Sequence, residues 1–147
     1  FMFNLILDYP SFEEELNVVK NTTTERKVSV NKVVGGEEIV YFQQLIRRIP
    51  VTDNVYEYCV KLASKTRPGT GMSPKVVNDF VSWGAGPRAS QYLVSAAKTH
   101  AVLRGKFSPD IEDVKAIAIN VLRHRVVRNY RAEAEGYTIE KIIGELL

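Results

Sequence analysis

This 147-residue chain has few cysteines and histidines and no long apolar run. Cys59 is the only cysteine, which rules out an internal disulfide. The two histidines, His100 and His124, have no other ligands at metal-binding spacing around them, so we predict no metal site. No apolar run approaches the roughly 20 residues that span a bilayer. We therefore expect a cytoplasmic protein without a membrane span.

Two further features are missing. The sequence contains no phosphate loop of the form G-x-x-x-x-G-K-[ST], and no apolar strand ends in paired acids. The chain opens inside an apolar run, residues 1–7, without an initiator methionine. We interpret it as a C-terminal piece of a longer protein and expect the missing part to contain the main chemical machinery.

The residues that are present predict one mainly helical domain after a short strand. Residues 1–7 have the apolar and aromatic content of a buried strand. Ser11 and Glu14 form a capping box that starts a helix ending near Lys20. Residues 26–34 alternate as a strand or an extended arm. Residues 1–10 are thus expected to form a separate strand and linker, and residues 11–147 the helical domain.

Helical spacing of apolar residues dominates from residue 37 onward. We predict a helix ending at Pro50, a second capped by Thr52, and a short helical turn within residues 74–83, with a mobile loop over residues 67–73. A helix rich in small residues follows over residues 88–104, as expected at the centre of a bundle. Ser108, with Pro109 at the first helical position, is predicted to cap the next helix, and a last helix covers residues 139–147.

The most informative stretch is residues 83–90, WGAGPRAS. Pro87 suits the first position of a helix, because its missing N–H would have no partner there. Arg88 then lies in the opening turn, where free N–H groups and a guanidinium together favour phosphate. The alternative is a capped helix that bears a solvated arginine.

Residues 84–90 resemble the sensor 2 motif that opens a lid helix in AAA+ ATPases of the MoxR type. Further segments resemble the same family in the same order: residues 1–15, 50–53, 66–68, 108–115 and 121–125. The resemblance implies a C-terminal helical lid bundle, preceded by the last strand and linker of the ATPase core. It also implies ATPase activity for the full-length protein, with this piece inactive alone.

By this resemblance, ATP with Mg²⁺ is bound mainly by the core, and Arg88 reaches the β- and γ-phosphates from the lid as a catalytic and nucleotide-binding residue. Tyr9 and Pro10 become neighbours of the adenine ring, although a turn with a packed aromatic explains them equally well. The family implies partners as well: neighbouring subunits of a hexameric ring and a von Willebrand factor A domain protein, with chaperone-like remodelling as the outcome.

Two other functions remain open from the residues alone. Basic residues outnumber acidic ones between Arg104 and Arg131, which would suit a helical nucleic-acid-binding module. A pure protein-interaction scaffold would also explain the helices. Because neither alternative explains residues 84–90, we expect no specific nucleic-acid binding.

Overall fold

The computed structural model describes residues 1–25 and 29–147. Within these residues the chain forms eight helices and two short strands. In chain order they are α1 (Phe12–Thr22), α2 (Gly36–Arg48), α3 (Asp53–Lys65), α4 (Lys75–Phe80), β1 (Val81–Trp83), α5 (Pro87–Leu103), α6 (Ile111–Leu122), β2 (Val127–Arg128), α7 (Tyr130–Ala134) and α8 (Ile139–Gly144). The predicted mainly helical fold is confirmed.

The predicted capping box at the start of α1 is present. The Ser11 amide donates to Glu14 Oε2 at 2.8 Å, and the Glu14 amide donates to Ser11 Oγ at 3.4 Å. The two residues therefore satisfy each other's backbone donors, as a capping box requires. The helix extends two residues beyond the predicted end at Lys20.

The predicted cap of α6 is wrong. The structure places Asp110 at the N-cap, where its side chain accepts from the Asp113 amide at 3.0 Å and its own amide donates to Asp113 Oδ2 at 2.9 Å. This acid pair satisfies both ends of a capping box, which a serine two residues earlier could not do. Ser108 instead donates its hydroxyl to Pro50 O at 3.1 Å.

Residues 1–11 have no regular secondary structure, in contrast to the predicted strand over residues 1–7. A β-strand requires a neighbouring strand for its backbone groups, and in the described residues the one sheet is the β1–β2 pair. The segment instead contacts α6 through the Asn4 amide, which donates to Asn120 O at 2.9 Å. Of the extended arm predicted over residues 26–34, residues 26–28 lie outside the described part, and residues 29–34 form no strand.

The core is a helical bundle centred on the packing of α5 against α6 and α3. Four of the small residues of this central helix are buried, Ala89, Ala96, Ala97 and Ala101, whereas Ser90 and Ser95 are half-buried. Their short side chains let the neighbouring helices approach closely. Cys59 of α3 is fully buried in the same core, and burial raises the pKa of its thiol to about 11. Burial and the raised pKa both disfavour the thiolate, so the structure supports the interpretation of Cys59 as a packing residue.

The two short strands join segments of the chain that are distant in sequence. Strand β1 pairs antiparallel with β2, so that Val81 lies opposite Arg128 and Trp83 opposite Val127. The Ser82 hydroxyl adds a bond to Val127 O at 3.1 Å. This short ribbon fixes the position of the chain immediately before residues 84–86.

Helices α1 and α2 lie outside the buried core, since neither contains a buried residue. Helix α2 contacts α5 through Lys98, whose Nζ donates to Arg47 O at 3.1 Å. No helix among the described residues is long and apolar enough to cross a membrane.

Candidate functional site

The candidate site is the loop of residues 84–86 together with the first turn of α5. Gly86 is the N-cap in an extended conformation, and Pro87 occupies the first helical position, as predicted. The Ala89 amide bonds back to Gly86 O at 3.0 Å. Arg88 is therefore the second residue of a 17-residue helix, beside backbone N–H groups that lack helical partners.

The loop is held from the end of α3. Thr66, which is fully buried, donates its hydroxyl to Ala63 O at 2.6 Å and accepts the Ala85 amide at 2.8 Å. Arg67 Nε donates to Ala85 O at 2.9 Å. Both backbone polar groups of the buried Ala85 are therefore bonded to two consecutive residues of another element.

Gly84 is required by the close approach of these two backbones. A Cβ placed on Gly84 would lie 2.4 Å from Thr66 O and 2.5 Å from Arg67 Cα. Contacts of this length with backbone atoms cannot be relieved by rotating a side chain. The glycine thus permits the contact through which Thr66 and Arg67 reach Ala85.

The segment after Thr66 is a hydrogen-bonded turn within the predicted loop, and the predicted mobility of residues 67–73 stays a prediction. The Gly69 amide donates to Asn78 Oδ1 at 2.8 Å, and Gly69 itself has a φ of 74°, which glycine adopts without a steric penalty. The Thr70 amide donates to Ser73 Oγ at 2.9 Å. Polar side chains close this turn and hold Arg67 beside the loop.

The Arg88 guanidinium is exposed, and no hydrogen bond or ion pair holds it within the described residues. Its surroundings are positive. Arg125 lies over the ring of Tyr92, one helical turn beyond Arg88, with 4.9 Å from its guanidinium carbon to the ring centre. Burial lowers the pKa of Arg125, and the nearby charge of Arg88 lowers it further. An anion that reaches this end of α5 would therefore meet uncompensated positive charge.

An open groove of about 430 Å³ lies beside the loop. Its lining includes Arg67, Trp83, Gly84 and Pro87. Trp83 leaves 73% of its surface exposed, which is unusual for so large an apolar side chain.

Tyr9 and Pro10, the other predicted nucleotide contacts, lie in the irregular segment before α1. Tyr9 is fully exposed. Both line a shallow surface pocket together with Leu7 and Asp8, and none of the residues that line it comes from α5. The structure does not bring these two residues together with Arg88, and their role stays a prediction.

His100 takes part in the capping of α6. Its Nδ1 lies 2.8 Å from Asp113 Oδ1, and Lys106 Nζ lies 3.1 Å from Asp113 Oδ2. Although burial raises the pKa of Asp113, hydrogen bonds from the Asp110 backbone, His100 and Lys106 outweigh that effect and lower it to about 2. Across residues 1–25 and 29–147, no cluster of three His, Cys, Asp or Glu side chains could hold a metal ion.

Four arginines between Arg104 and Arg131 have partners within the chain. Arg123 pairs with Glu140 at 3.1 Å, and Arg128 donates to Tyr137 O at 2.8 Å. Arg131 pairs with Glu135 at 2.7 Å. Arg125 donates to Met2 O at 3.1 Å. The four side chains thus do not form a free basic face.

Comparison with known proteins indicates the family that this chain resembles. Residues 74–146 match the AAA lid domain family. The chain is 28% identical over its whole length to the uncharacterized protein YeaC of Bacillus subtilis, covering 43% of that protein. It is also 28% identical, again over its whole length, to the chaperone MoxR1 of Mycobacterium tuberculosis, covering 39% of it.

A crystal structure from Cytophaga hutchinsonii, described as that of a candidate ATPase, superposes with a TM-score of 0.89 at 27% identity. The alignment covers 99% of this chain and 44% of that one. The chain thus spans less than half the length of the relatives it matches.

Residues 74–146, which include the glycine-rich entry to α5, therefore correspond to an AAA lid domain. This match, the similarity to the chaperone MoxR1 and the structural neighbour support the lid part of a MoxR-like AAA+ ATPase that the ordered motifs predicted.

Sequence reasoning missed the roles of Thr66 and Arg67. A polar residue at the end of a helix ordinarily indicates a cap, and nothing in the spacing links it to Ala85, nineteen positions later. Gly84 becomes informative only once the two segments are seen in contact, because a Cβ there would overlap the backbone of Thr66 and Arg67.

Proposed function

We propose that this chain closes over ATP bound by an ATPase core and supplies Arg88 as a sensor 2 arginine. One observation supports the assignment above the others: Arg88 stands exposed and without a carboxylate partner in the first turn of α5. A guanidinium there can donate two parallel bonds to phosphate oxygens, and the helix N-terminus favours the same negative charge. The relatives described as ATPase and chaperone support the class.

The described residues of this chain do not offer a metal site, so Mg²⁺ and most of the triphosphate would be held by the core. When bound, Mg²⁺ neutralises charge on the phosphates during phosphoryl transfer. Arg88 would contact the β- and γ-phosphates from the lid. The lid's contribution is then to orient the phosphates and to stabilise their charge.

Such a contact couples nucleotide state to the position of the lid. ATP would hold the lid closed through Arg88, and loss of the terminal phosphate would weaken that contact and release it. A ligand shifts a conformational equilibrium only by its different affinities for the two states, and the γ-phosphate supplies that difference. In the hexameric ring that the family resemblance implies, this motion would drive chaperone-like remodelling of a partner such as a von Willebrand factor A domain protein.

The test is steady-state hydrolysis by the complete protein that contains the ATPase core. Arg88→Ala should lower turnover by about 10- to 150-fold, the equivalent of about 1.5–3 kcal/mol for a charge-assisted bond. Arg104 provides a matched control, since it is an exposed arginine at the other end of the same helix. Arg104→Ala should hydrolyse ATP like the wild type. Normal turnover by a folded Arg88→Ala variant would refute the proposal.

A further inference from the structure

The hydrogen bonds around Ala85 have a consequence for Arg88. Ala85 is held at its amide by Thr66 and at its carbonyl by Arg67, at 2.8 Å and 2.9 Å. Ala85 is 1% exposed, so water does not compete for either bond. The residue is therefore a fixed point three positions before Arg88.

A second fixed point follows Arg88 immediately. Ala89 is fully buried in the core, and its amide bonds to Gly86 O at 3.0 Å. Between Ala85 and Ala89, Pro87 has its φ set by its ring. Gly86 is thus the residue with the most backbone freedom in this span, and without the bonds to Ala85 its rotation would re-aim the first turn of α5.

We propose that Thr66 and Arg67 are positioning residues for the nucleotide contact of Arg88. They touch no phosphate themselves. They fix Ala85, and through it the entry of α5, so that the guanidinium is already aimed when the lid closes. This inference rests on the proposed function of Arg88 and assigns that function two additional residues at the end of α3.

Pre-organisation of this kind matters because a small misplacement of a phosphate-binding group costs affinity even when every contacting group is present. Thr66→Val keeps the shape of the side chain but removes the hydroxyl, leaving the Ala85 amide without its acceptor. We expect ATP to bind about 3- to 10-fold more weakly, because binding must then also order the loop, a cost comparable to that of immobilising one interface side chain. Thr66→Ser keeps the hydroxyl and should recover most of the affinity.

The decisive experiment is a double-mutant cycle on ATP affinity in the complete protein. Thr66→Val is measured in the wild-type background and in the Arg88→Ala background. The control is Thr99→Val, the same exchange at an exposed threonine of α5. If Thr66 acts through Arg88, Thr66→Val weakens binding in the wild-type background and changes nothing once Arg88 is absent. Thr99→Val should have no effect in either background.

The same loss of affinity in both backgrounds would overturn the inference, because Thr66 would then act independently of Arg88. Wild-type affinity in a folded Thr66→Val variant would overturn it as well. If the Thr66→Val variant does not fold, the cycle is repeated with Arg67→Met. Arg67 is only half-buried, and this substitution removes just its bond to Ala85 O. Arg67→Met should likewise weaken ATP binding only when Arg88 is present. If the proposed function of Arg88 is itself wrong, the Arg88→Ala variant alone would bind ATP normally, which distinguishes the two cases.

Discussion

Thr66 and Ala85 are joined by a 2.8 Å hydrogen bond between a buried hydroxyl and a backbone amide. This bond connects the end of α3 to the loop that opens α5. Together with the Arg67 bond to the same residue, it makes the loop part of the packed lid and not a free connection. The conformation of the loop should therefore affect both stability and nucleotide contact.

Gly84→Ala should destabilise the folded chain by about 1–3 kcal/mol, because the new Cβ would overlap the backbone of Thr66 and Arg67. Urea unfolding followed by circular dichroism measures the change. Gly71→Ala is the matched control, since a Cβ there has no atom within 4 Å, and it should change stability by less than about 0.5 kcal/mol. Equal stability of the two variants would contradict the close approach.

Asp113 should stabilise the fold in a pH-dependent way. Its pKa is about 2 in the folded chain against an ordinary 3.8, so the folded state favours the ionised form. The contribution is complete above about pH 4 and disappears as the pH falls towards 2. We expect Asp113→Asn to cost about 1–3 kcal/mol at pH 6 and much less at pH 2.5. An equal cost at both pH values, measured by urea unfolding, would show that ionisation is not involved.

The 147-residue chain alone should not hydrolyse ATP, because its sequence contains no phosphate loop. Phosphate release measured on chain freed of contaminating ATPases should equal the buffer background. Release that exceeds this background and follows the concentration of the chain would contradict the account.

The chain should not bind nucleic acid specifically. Arg123 and Arg131 pair with glutamates and Arg128 donates to Tyr137 O, so these arginines do not form a free basic face that could replace counterions on a phosphate backbone. Fluorescence anisotropy with labelled DNA and RNA should show no sub-micromolar binding at physiological salt. Tight binding that weakens steeply as the salt concentration rises would favour the nucleic-acid alternative.

Local patterns in the sequence predicted most of the helices. The apolar spacing of α3, the small residues of α5 and the Ser11–Glu14 capping box all depend on residues within a few positions of each other. The start of α6 was predicted wrongly because Ser108 and Asp110 both suit a cap. In the structure Asp110 forms the capping box with Asp113, and Ser108 instead donates to Pro50 O.

The features that complete the site are non-local. Val81–Trp83 pairs with Val127–Arg128, and neither segment is long enough for its alternation to indicate a strand. Arg88 was predicted from its helix-opening motif, whereas Thr66 and Arg67 act through Ala85 across the fold. Such contacts depend on how the helices pack, which local sequence patterns do not encode.

The affinity of the complete protein for ATP and for ADP, with and without Arg88, tests the central claim most directly. Arg88→Ala should weaken ATP binding by about 10- to 150-fold and ADP binding by less, because ADP lacks the γ-phosphate. Arg88→Lys should recover only part of the loss, since an ammonium cannot donate the two parallel bonds of a guanidinium. The Arg104→Ala control should bind both nucleotides normally. Unchanged affinity of a folded Arg88→Ala variant for ATP would contradict the account and leave Arg88 as a solvated residue on a capped helix.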